Sequence, residues 1–266
     1  MKRQTLSKTG IEYGTHSWNP ATGCRHQEMG ICYVKNCWAR AMARRQGDDF
    51  TPKVHPERLL APLSLKKPAR ILVSFMGDMF GDWVDPNQWV NCQNRDEVVS
   101  GRLSDIVRHT TARCPQHRFL FLTKNPSGYA KWGKWPDNCW LGATVTDEMS
   151  FVATVFDQFR RPKLQGGHLW LSVEPLAEAI HPCKDGLDAL AWAGVEWIVL
   201  GGQTRPTVMP QVEWVKEIVD AADNAGIPVW LKQNLWPLLG YADLGRSHIY
   251  SEQGGLRQEL PEGLKL

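Results

Sequence analysis

The run Arg70–Phe75 (RILVSF) indicates the fold class of this chain, because it is short, apolar and rich in β-branched and large side chains. Such a run is typical of a strand that is buried on both faces of a parallel sheet. Further runs of this kind follow along the chain at Arg118–Leu122 (RFLFL), Cys139–Val145 (CWLGATV), Leu169–Val173 (LWLSV), Trp197–Leu200 (WIVL) and Pro228–Leu231 (PVWL). Ile11–Trp18 is predicted as a first strand ahead of them.

Helical segments are predicted between these strands. They are marked by good helix formers or by apolar positions at helical spacing, in Asn36–Gln46, Gln88–Thr111, Asp147–Phe159 (capped by Asp147), Leu187–Ala193 and Gln211–Ala225. Alternating strands and helices predict a parallel sheet with right-handed crossovers. The strand count favours a partial (β/α)6–7 TIM-like barrel. We therefore predict one domain over residues 1–266, with a cysteine loop at 22–38 and a loop-rich tail at 236–266.

Composition restricts the function classes. The chain is 42% hydrophobic and 22% charged, which excludes an intrinsically disordered protein. A net charge of +3 is too small to predict nucleic-acid binding by itself. The 13 tryptophans serve either as core residues or as stacking platforms. Residues 1–15 are polar and no apolar run is as long as a membrane span, so we expect a cytoplasmic protein without membrane contact.

A second stretch, Thr22–Arg45 (TGCRHQEMGICYVKNCWARAMARR), holds Cys24, Cys32 and Cys37 in the spacing C-x7-C-x4-C. In a reducing compartment, clustered cysteines more often bind metal than form disulfides. Three thiolates could hold a [4Fe–4S] cluster and leave one iron open to a small molecule. Zinc prefers four ligands, and His26 is then the better candidate for the fourth than His16. The remaining interpretation is three buried free thiols.

Basic residues flank these cysteines at Arg25, Lys35, Arg40, Arg44 and Arg45. The simplest interpretation is a solvated helix face. The alternative is a site for an anionic substrate, for the carboxylate of a cofactor or for a nucleic-acid backbone.

Polar or small residues follow nearly every predicted strand. In a β/α barrel the chemistry gathers at the carboxyl ends of the strands, and the candidate site residues there are Gly77, Asp78, Thr123, Lys124, Glu174 and Gln203. Loops after strands are commonly polar, so the case for a site rests on convergence. Lys124 and Glu174 stand out because a long charged side chain directly after a buried strand needs a partner or a ligand. These two residues could simply pair with each other.

Several short motifs resemble a phage- and prophage-associated family of radical-SAM-like, three-cysteine proteins of poorly defined function. In chain order they are Ser17-Trp18-Asn19-Pro20 with Thr22-Gly23-Cys24, Phe75–Phe80 (FMGDMF), Leu122–Pro126 (LTKNP), Trp140–Val145 (WLGATV), Leu171–Leu176 (LSVEPL), Ile198–Gln203 (IVLGGQ) and Val229–Gln233 (VWLKQ). The chain departs from the family pattern at two places. The gap before Cys37 is four residues where the family more often has two, and Gln203 stands where the family often has Glu.

The resemblance implies a radical-SAM type of partial barrel that binds a [4Fe–4S] cluster and S-adenosylmethionine. By this resemblance the three cysteines of the loop ligate the cluster, and Asp78, next to Gly77, receives the amino group of S-adenosylmethionine. The residues that would face the ribose, the carboxylate or the substrate are Thr123, Lys124, Glu174 and Gln203.

Three function classes result. The first is a radical S-adenosylmethionine enzyme, in which one electron cleaves S-adenosylmethionine to a 5′-deoxyadenosyl radical that abstracts hydrogen from a substrate. A nucleotide or nucleic acid is the candidate substrate, and a flavodoxin- or ferredoxin-type protein is the expected electron donor. The second is a zinc-stabilised, non-catalytic nucleic-acid-binding protein. The third is a barrel hydrolase with an accessory metal loop, which is disfavoured because no His-rich set follows the strands.

Overall fold

The computed structural model describes residues 6–32, 37–184, 186–204, 206–240, 249–251 and 254–266. The strands in this part of the chain are β1 (Ser7–Lys8), β2 (His16–Trp18), β3 (Ala21–Thr22), β4 (Lys53–Val54), β5 (Ala69–Val73), β6 (Trp89–Gln93), β7 (Val98–Arg102), β8 (His117–Thr123), β9 (Cys139–Thr144), β10 (His168–Val173), β11 (Cys183–Lys184), β12 (Leu187–Asp188), β13 (Val195–Leu200) and β14 (Val229–Leu231). The α-helices are α1 (Trp38–Arg45), α2 (Leu103–Ala112), α3 (Glu148–Ala153), α4 (Arg160–Leu164), α5 (Ala189–Ala193), α6 (Val212–Asn224) and α7 (Trp236–Leu239).

Eight strands form one mostly parallel sheet in the order β1-β2-β5-β8-β9-β10-β13-β14. The neighbours β2 and β5, β5 and β8, β10 and β13, and β13 and β14 run parallel, whereas β1 is antiparallel to β2. The predicted partial TIM-like barrel is therefore wrong, because this sheet is open and has β1 and β14 at its edges. Apolar runs predict burial and parallel pairing. Closure depends on strand tilt and stagger, which such runs do not encode.

Each of the six apolar runs forms a strand, from β5 to β14, and the predicted first strand ends in β2. The helix predicted at 211–225 is confirmed by α6. The cap predicted at Asp147 is confirmed as well, because its side chain accepts a hydrogen bond from Ser150 N–H at 2.8 Å. The segment that follows is interrupted by a π-helical turn at Thr154–Gln158 before α4.

The helix predicted over 88–111 is wrong in its first half. Residues 89–102 form the antiparallel hairpin β6–β7, and only α2 is helical. Asn94 starts the turn, since its Oδ1 accepts from the N–H groups of Asp96 (2.8 Å) and Glu97 (2.9 Å). Such an Asx turn competes with a helix, and the alternating burial of β6 is typical of a half-buried strand.

The chain divides into two compact units. Unit 1 comprises Met1–Leu141 with Gln165–Gly167 and Leu266, and unit 2 comprises Gly142–Leu164 with His168–Lys265. The single domain over 1–266 stays a prediction. Of the tail at 236–266, residues 241–248 and 252–253 lie outside the described residues. The described parts of that tail contain α7 and a 3-10 helix at Glu262–Leu264, and Leu231 N–H donates to Arg257 O at 2.8 Å.

Tryptophan mainly fills the cores. In unit 1 a cluster of rings lies 4.2–6.3 Å apart between centroids, and its members are Phe80, Phe121, Tyr129, Trp132 and Trp135. In unit 2 Trp197 packs against Trp170 at 5.3 Å and against Trp230 at 6.4 Å. In the described ranges, no helix combines the length and apolarity that crossing a membrane requires.

Candidate metal and cofactor site

The end of β5 is joined to the start of the cysteine loop by backbone contacts. Gly23 N–H donates to Met76 O at 3.0 Å, and Asp78 N–H donates to Gly23 O at 3.1 Å. A Cβ on Gly77 would lie 2.4 Å from Gly23 O and 2.5 Å from Gly23 N. Glycine is therefore needed at 77, because the two backbones approach more closely than a side chain allows.

The cysteine loop folds around His26. The His26 N–H donates to Cys24 Sγ at 3.4 Å, and the His26 carbonyl accepts from the N–H groups of Ile31 (2.9 Å) and Cys32 (3.1 Å). Cys24 and Cys32 are half-buried free thiols. His26 thus forms a hydrogen bond to Cys24 through its backbone N–H and to Cys32 through its carbonyl.

Cys37, the third half-buried thiol, is the N-cap residue of α1. Its carbonyl accepts from Ala41 N–H at 3.0 Å, as at the start of a regular helix. Cys24 and Cys37 both pack against one small apolar cluster, whose members are Ala39, Ala43 and Phe50. The first and third cysteines are therefore attached to the same packed element.

Among the residues that the structure describes, there is no group of three or more His, Cys, Asp or Glu side chains that could hold a metal ion. The thiols nevertheless influence one another. Burial raises the pKa of Cys24 to about 12; a hydrogen bond from His26 N–H opposes this shift, and the charges of Asp78, Cys32 and Cys37 add to it. Thiolates are the ligand type that soft metals and iron–sulfur clusters use, and the metal site predicted at these three thiols stays a prediction.

The buried Asp78 carboxylate, only 5% exposed, accepts hydrogen bonds from several parts of unit 1. Oδ1 accepts from Phe80 N–H (2.9 Å), and the Thr123 hydroxyl donates to both oxygens at 2.8 Å. Oδ2 also accepts from Lys124 N–H (3.0 Å) and bonds His26 Nε2 (2.7 Å). The carboxylate ties the ends of β5 and β8 to the cysteine loop. Its predicted contact with a cofactor amino group stays a prediction.

His26 is buried and packs edge-on against Trp83, with ring centroids 4.8 Å apart. Because a carboxylate only accepts, Nε2 carries the hydrogen that Asp78 receives. Nδ1 of the same ring has no hydrogen-bond partner among the described residues. An unsatisfied buried polar atom costs roughly 1–3 kcal/mol of folding free energy. The sequence suggested His26 as a zinc ligand, but the contact with Asp78 was not predicted.

Lys124 follows β8 and faces the same thiols. Its backbone N–H is bonded to Asp78, while its ammonium has no hydrogen-bond or ion-pair partner in the described ranges. Burial lowers the pKa of Lys124, and the nearby cysteines and Asp78 oppose that shift. The structure therefore brings four predicted residues to the cysteine loop, namely Gly77, Asp78, Thr123 and Lys124.

Glu174 lies at the end of β10 in unit 2, where it has a cationic partner of its own. Its Oε2 accepts from Lys232 Nζ at 2.6 Å, and its Oε1 accepts from the Ser172 hydroxyl at 3.3 Å. Lys232 directly follows β14, as Lys124 follows β8. A lysine directly after a buried strand is thus the sequence signal that could have identified Lys232 as the partner.

Gln203 lies in a turn after β13. Its backbone N–H donates to Val208 O at 3.0 Å, and its side-chain Nε2 donates to Pro206 O at 3.1 Å. The preceding turn is held by Asn234, whose Nδ2 donates to Gly202 O at 2.8 Å. Asn234 therefore shapes this strand end in unit 2, and the predicted contact of Gln203 with a cofactor or substrate stays a prediction.

The basic residues beside the cysteines are mainly exposed. Arg40 pairs with Glu28 at 3.4 Å and lies over the Phe50 ring at 5.5 Å. The side chains of three of the basic residues, Arg25, Arg44 and Arg45, are exposed. Lys35 lies outside the described residues. The exposed residues fit the solvated helix face that the sequence analysis favoured.

Comparison with known proteins gives a family without an assigned activity. The family model of DUF5131, described as a protein of unknown function, matches residues 8–239. No curated protein and no solved structure matches the chain. Since the matched range covers most of the sequence, the chain belongs to the DUF5131 family.

Proposed function

We propose that this protein is a radical S-adenosylmethionine enzyme whose [4Fe–4S] cluster is held by Cys24, Cys32 and Cys37. The observation that carries the proposal is the half-buried Lys124, whose ammonium lies within electrostatic reach of the three thiols and has no ion-pair partner among the described residues. A cation in such a place fits the carboxylate of a bound ligand. The motifs that resemble radical-SAM-like proteins support S-adenosylmethionine as that ligand.

Cluster and S-adenosylmethionine together supply a one-electron cleavage that yields a 5′-deoxyadenosyl radical. The residues of this chain bind and orient S-adenosylmethionine. Lys124 binds the carboxylate of S-adenosylmethionine, and Asp78 holds the Lys124 backbone in place through its bond to the N–H at 3.0 Å. Gly77 allows the cysteine loop to lie directly against the end of β5.

The substrate and partners belong to the same proposal. Three exposed arginines beside the cysteines, Arg25, Arg44 and Arg45, support a nucleotide or nucleic acid as substrate, because they offer positive charge for phosphate. A flavodoxin- or ferredoxin-type protein supplies the electron, and the cytoplasm, where thiols stay reduced, is the compartment that suits such a site.

The test is anaerobic reconstitution with iron and sulfide, followed by reduction in the presence of S-adenosylmethionine. We expect brown protein with about four iron and four sulfide per chain, and release of 5′-deoxyadenosine. Cys32→Ala should abolish both, whereas Cys114→Ala, a buried cysteine elsewhere in unit 1, should retain them.

Lys124→Met should retain the cluster but bind S-adenosylmethionine about tenfold to a hundredfold more weakly, because a charge-assisted hydrogen bond is lost. Lys131→Met is the matched control, since Lys131 lies in unit 1 and pairs with Asp82 at 2.7 Å. Unchanged affinity in Lys124→Met would contradict its role at the carboxylate.

A zinc-stabilised, non-catalytic nucleic-acid-binding protein is the second candidate. The buried His26 Nδ1, which has no hydrogen-bond partner among the described residues, favours it, because zinc sites commonly combine three cysteines with one histidine. Colourless protein that holds one zinc after anaerobic reconstitution would replace the first proposal with this one.

A further inference from the structure

We infer that the outer face of the cysteine loop and of α1 binds single-stranded nucleic acid, and that a base stacks on Trp38. This surface consists of four exposed apolar side chains and three exposed arginines, which are Met29, Ile31, Trp38, Met42, Arg25, Arg44 and Arg45. Its purpose rests on the proposed function, in which a nucleic acid is a candidate substrate. Binding itself depends neither on a metal nor on S-adenosylmethionine.

Positive charge is concentrated in this part of the chain. Residues 22–45 contain five basic residues and one acidic residue, which gives a net charge of +4, whereas the whole chain carries +3. The acidic residue, Glu28, pairs with Arg40 at 3.4 Å. The three arginines of the surface have no ion-pair partner among the residues that the structure describes. Exposed arginines without internal partners suit the phosphates of a nucleic acid.

The same segments expose apolar side chains. Met29 and Ile31 lie in the loop between Cys24 and Cys32 and are 53% and 50% exposed. Trp38 begins α1 and is 50% exposed. In the described part of the chain, no aromatic ring or cation contacts its indole. An indole with half of its surface exposed offers a face on which a nucleobase can stack.

One side of α1 carries both apolar and basic groups. Ala39 and Ala43 are buried, and the exposed Trp38, Met42 and Arg45 share another face because they follow the helical spacing i, i+4, i+7. The first and the last of these three are about 10 Å apart along the helix axis. That distance corresponds to about three nucleotides of a stacked strand. The surface therefore fits a strand better than a free nucleotide.

A single strand fits this surface better than a duplex does. A duplex presents the edges of its bases in the grooves and keeps their faces stacked on one another. A single strand leaves base faces available to Trp38, and such stacking tolerates any base. An acidic protein is the competing partner, because arginine, methionine and tryptophan are also enriched in protein interfaces. The net positive charge together with the exposed indole favours nucleic acid, since phosphates and base faces alternate along every strand.

Unit 2 offers matched control residues. Trp192 is 49% exposed, and Arg160 and Arg161 are consecutive exposed arginines like the two at the end of α1. Residues 148–164, which include this second arginine pair, contain three basic and two acidic residues. Positive charge is therefore not concentrated there, and we expect these residues to contribute nothing to binding.

The first experiment measures binding of the full chain to a labelled oligothymidylate of about 12 nucleotides by fluorescence anisotropy. We expect the single strand to bind about tenfold or more tightly than a duplex of the same length. Trp38→Leu, which keeps the apolar bulk, should weaken binding about tenfold, whereas Trp38→Phe should retain most of the affinity. Trp192→Leu should have no effect. Thermal unfolding of each variant verifies that it is folded.

Salt dependence tests the arginines. The double variant Arg44→Gln, Arg45→Gln should lower the slope of log affinity against log salt concentration by about 1.4, because each phosphate contact on a single strand contributes about 0.7. The double variant Arg160→Gln, Arg161→Gln should leave the slope unchanged. Equal slopes in the two double variants would contradict phosphate binding at the end of α1.

Other outcomes would overturn the inference as well. They are absence of binding, equal affinity for the duplex, and equal affinities in Trp38→Leu and Trp192→Leu. Displacement of the oligonucleotide by polyglutamate as readily as by unlabelled oligonucleotide of the same charge would assign the surface to an acidic protein instead.

Release of 5′-deoxyadenosine from S-adenosylmethionine, measured on reconstituted protein, separates the inference from the proposed function. Release without single-strand binding overturns the inference and leaves the radical-SAM proposal standing. Single-strand binding without a cluster or release supports the surface and contradicts the radical-SAM proposal.

Discussion

Each of the two units places one acidic residue and one lysine in the segments that follow parallel strands, yet the two pairs are used differently. In unit 2 Glu174 and Lys232 meet at 2.6 Å and are about equally exposed, at 18% and 21%. In unit 1 Asp78 accepts its hydrogen bonds from a histidine, a hydroxyl and backbone N–H groups, and the Lys124 ammonium has no partner in the described ranges.

This difference indicates where a ligand is needed. A closed ion pair satisfies both charges, so the strand ends around Glu174 hold together without a ligand. The half-buried Lys124 ammonium, which lies beside thiols and has no ion-pair partner among the described residues, would be stabilised further by an anion. A charged side chain without an ion-pair partner is therefore a better indicator of a ligand site than a charged side chain that only follows a strand in the sequence.

The largest expected difference in stability comes from replacing by alanine the two glycines beside these pairs, Gly77 in unit 1 and Gly201 in unit 2. Gly77→Ala should destabilise the protein by about 3 kcal/mol or more, because its Cβ would meet backbone atoms of Gly23 at 2.4 and 2.5 Å. Gly201→Ala should cost less than about 1 kcal/mol, because its Cβ would meet side-chain atoms of Glu174 and Lys232 at 3.2 Å, which can move. Urea denaturation measures both, and equal losses would show that the backbone contact at Gly77 is not tight.

Removal of the acid in each unit should give a smaller difference. Asp78→Asn should cost about 2 kcal/mol, because the amide cannot accept from all the buried donors that the carboxylate serves. Glu174→Gln should cost about 1 kcal/mol or less, because that pair is partly exposed to water. Thermal unfolding at low and high salt checks this, since only the Glu174 loss should shrink as salt rises. The reverse salt dependence would contradict the comparison.

Removal of each lysine should give the smallest effects, and with opposite signs. Lys232→Met should lower stability by about 1 kcal/mol because it leaves the Glu174 carboxylate without its cation. Lys124→Met should leave stability unchanged or raise it by up to about 1 kcal/mol, because it removes a half-buried ammonium that has no ion-pair partner among the described residues. Urea denaturation of both variants measures the two changes in the free energy of unfolding. A clear loss in Lys124→Met would show that its ammonium already has a stabilising partner.

Sequence reasoning was most accurate where the information is local. Arg70–Phe75 and the other apolar runs predicted the strands because burial on both faces is encoded in successive residues. Their carboxyl ends then placed Asp78 near Thr123 and Lys124, which follow the adjacent strand. The hairpin at 89–102 was missed because its alternating apolar residues were interpreted at helical spacing.

Contacts between distant residues were not predictable in the same way. His26 and Asp78 are 52 positions apart, and Glu174 and Lys232 are 58 apart. Which lysine pairs with which acid depends on the register of strands and on the fold of each loop, and no local pattern records it. Closure of the sheet was unpredictable for the same reason, since tilt and stagger are properties of all strands together.

The attachment of Cys24 and Cys37 to packed structure has a consequence for the unusual spacing of the loop. Cys24 follows the Gly23 contact with the end of β5, and Cys37 begins α1, so neither depends on the length of chain between Cys32 and Cys37. The anchoring of Cys24 beside the end of β5 and of Cys37 at the start of α1 therefore fixes the two ends of the cysteine loop, whatever the spacing of the cysteine between them.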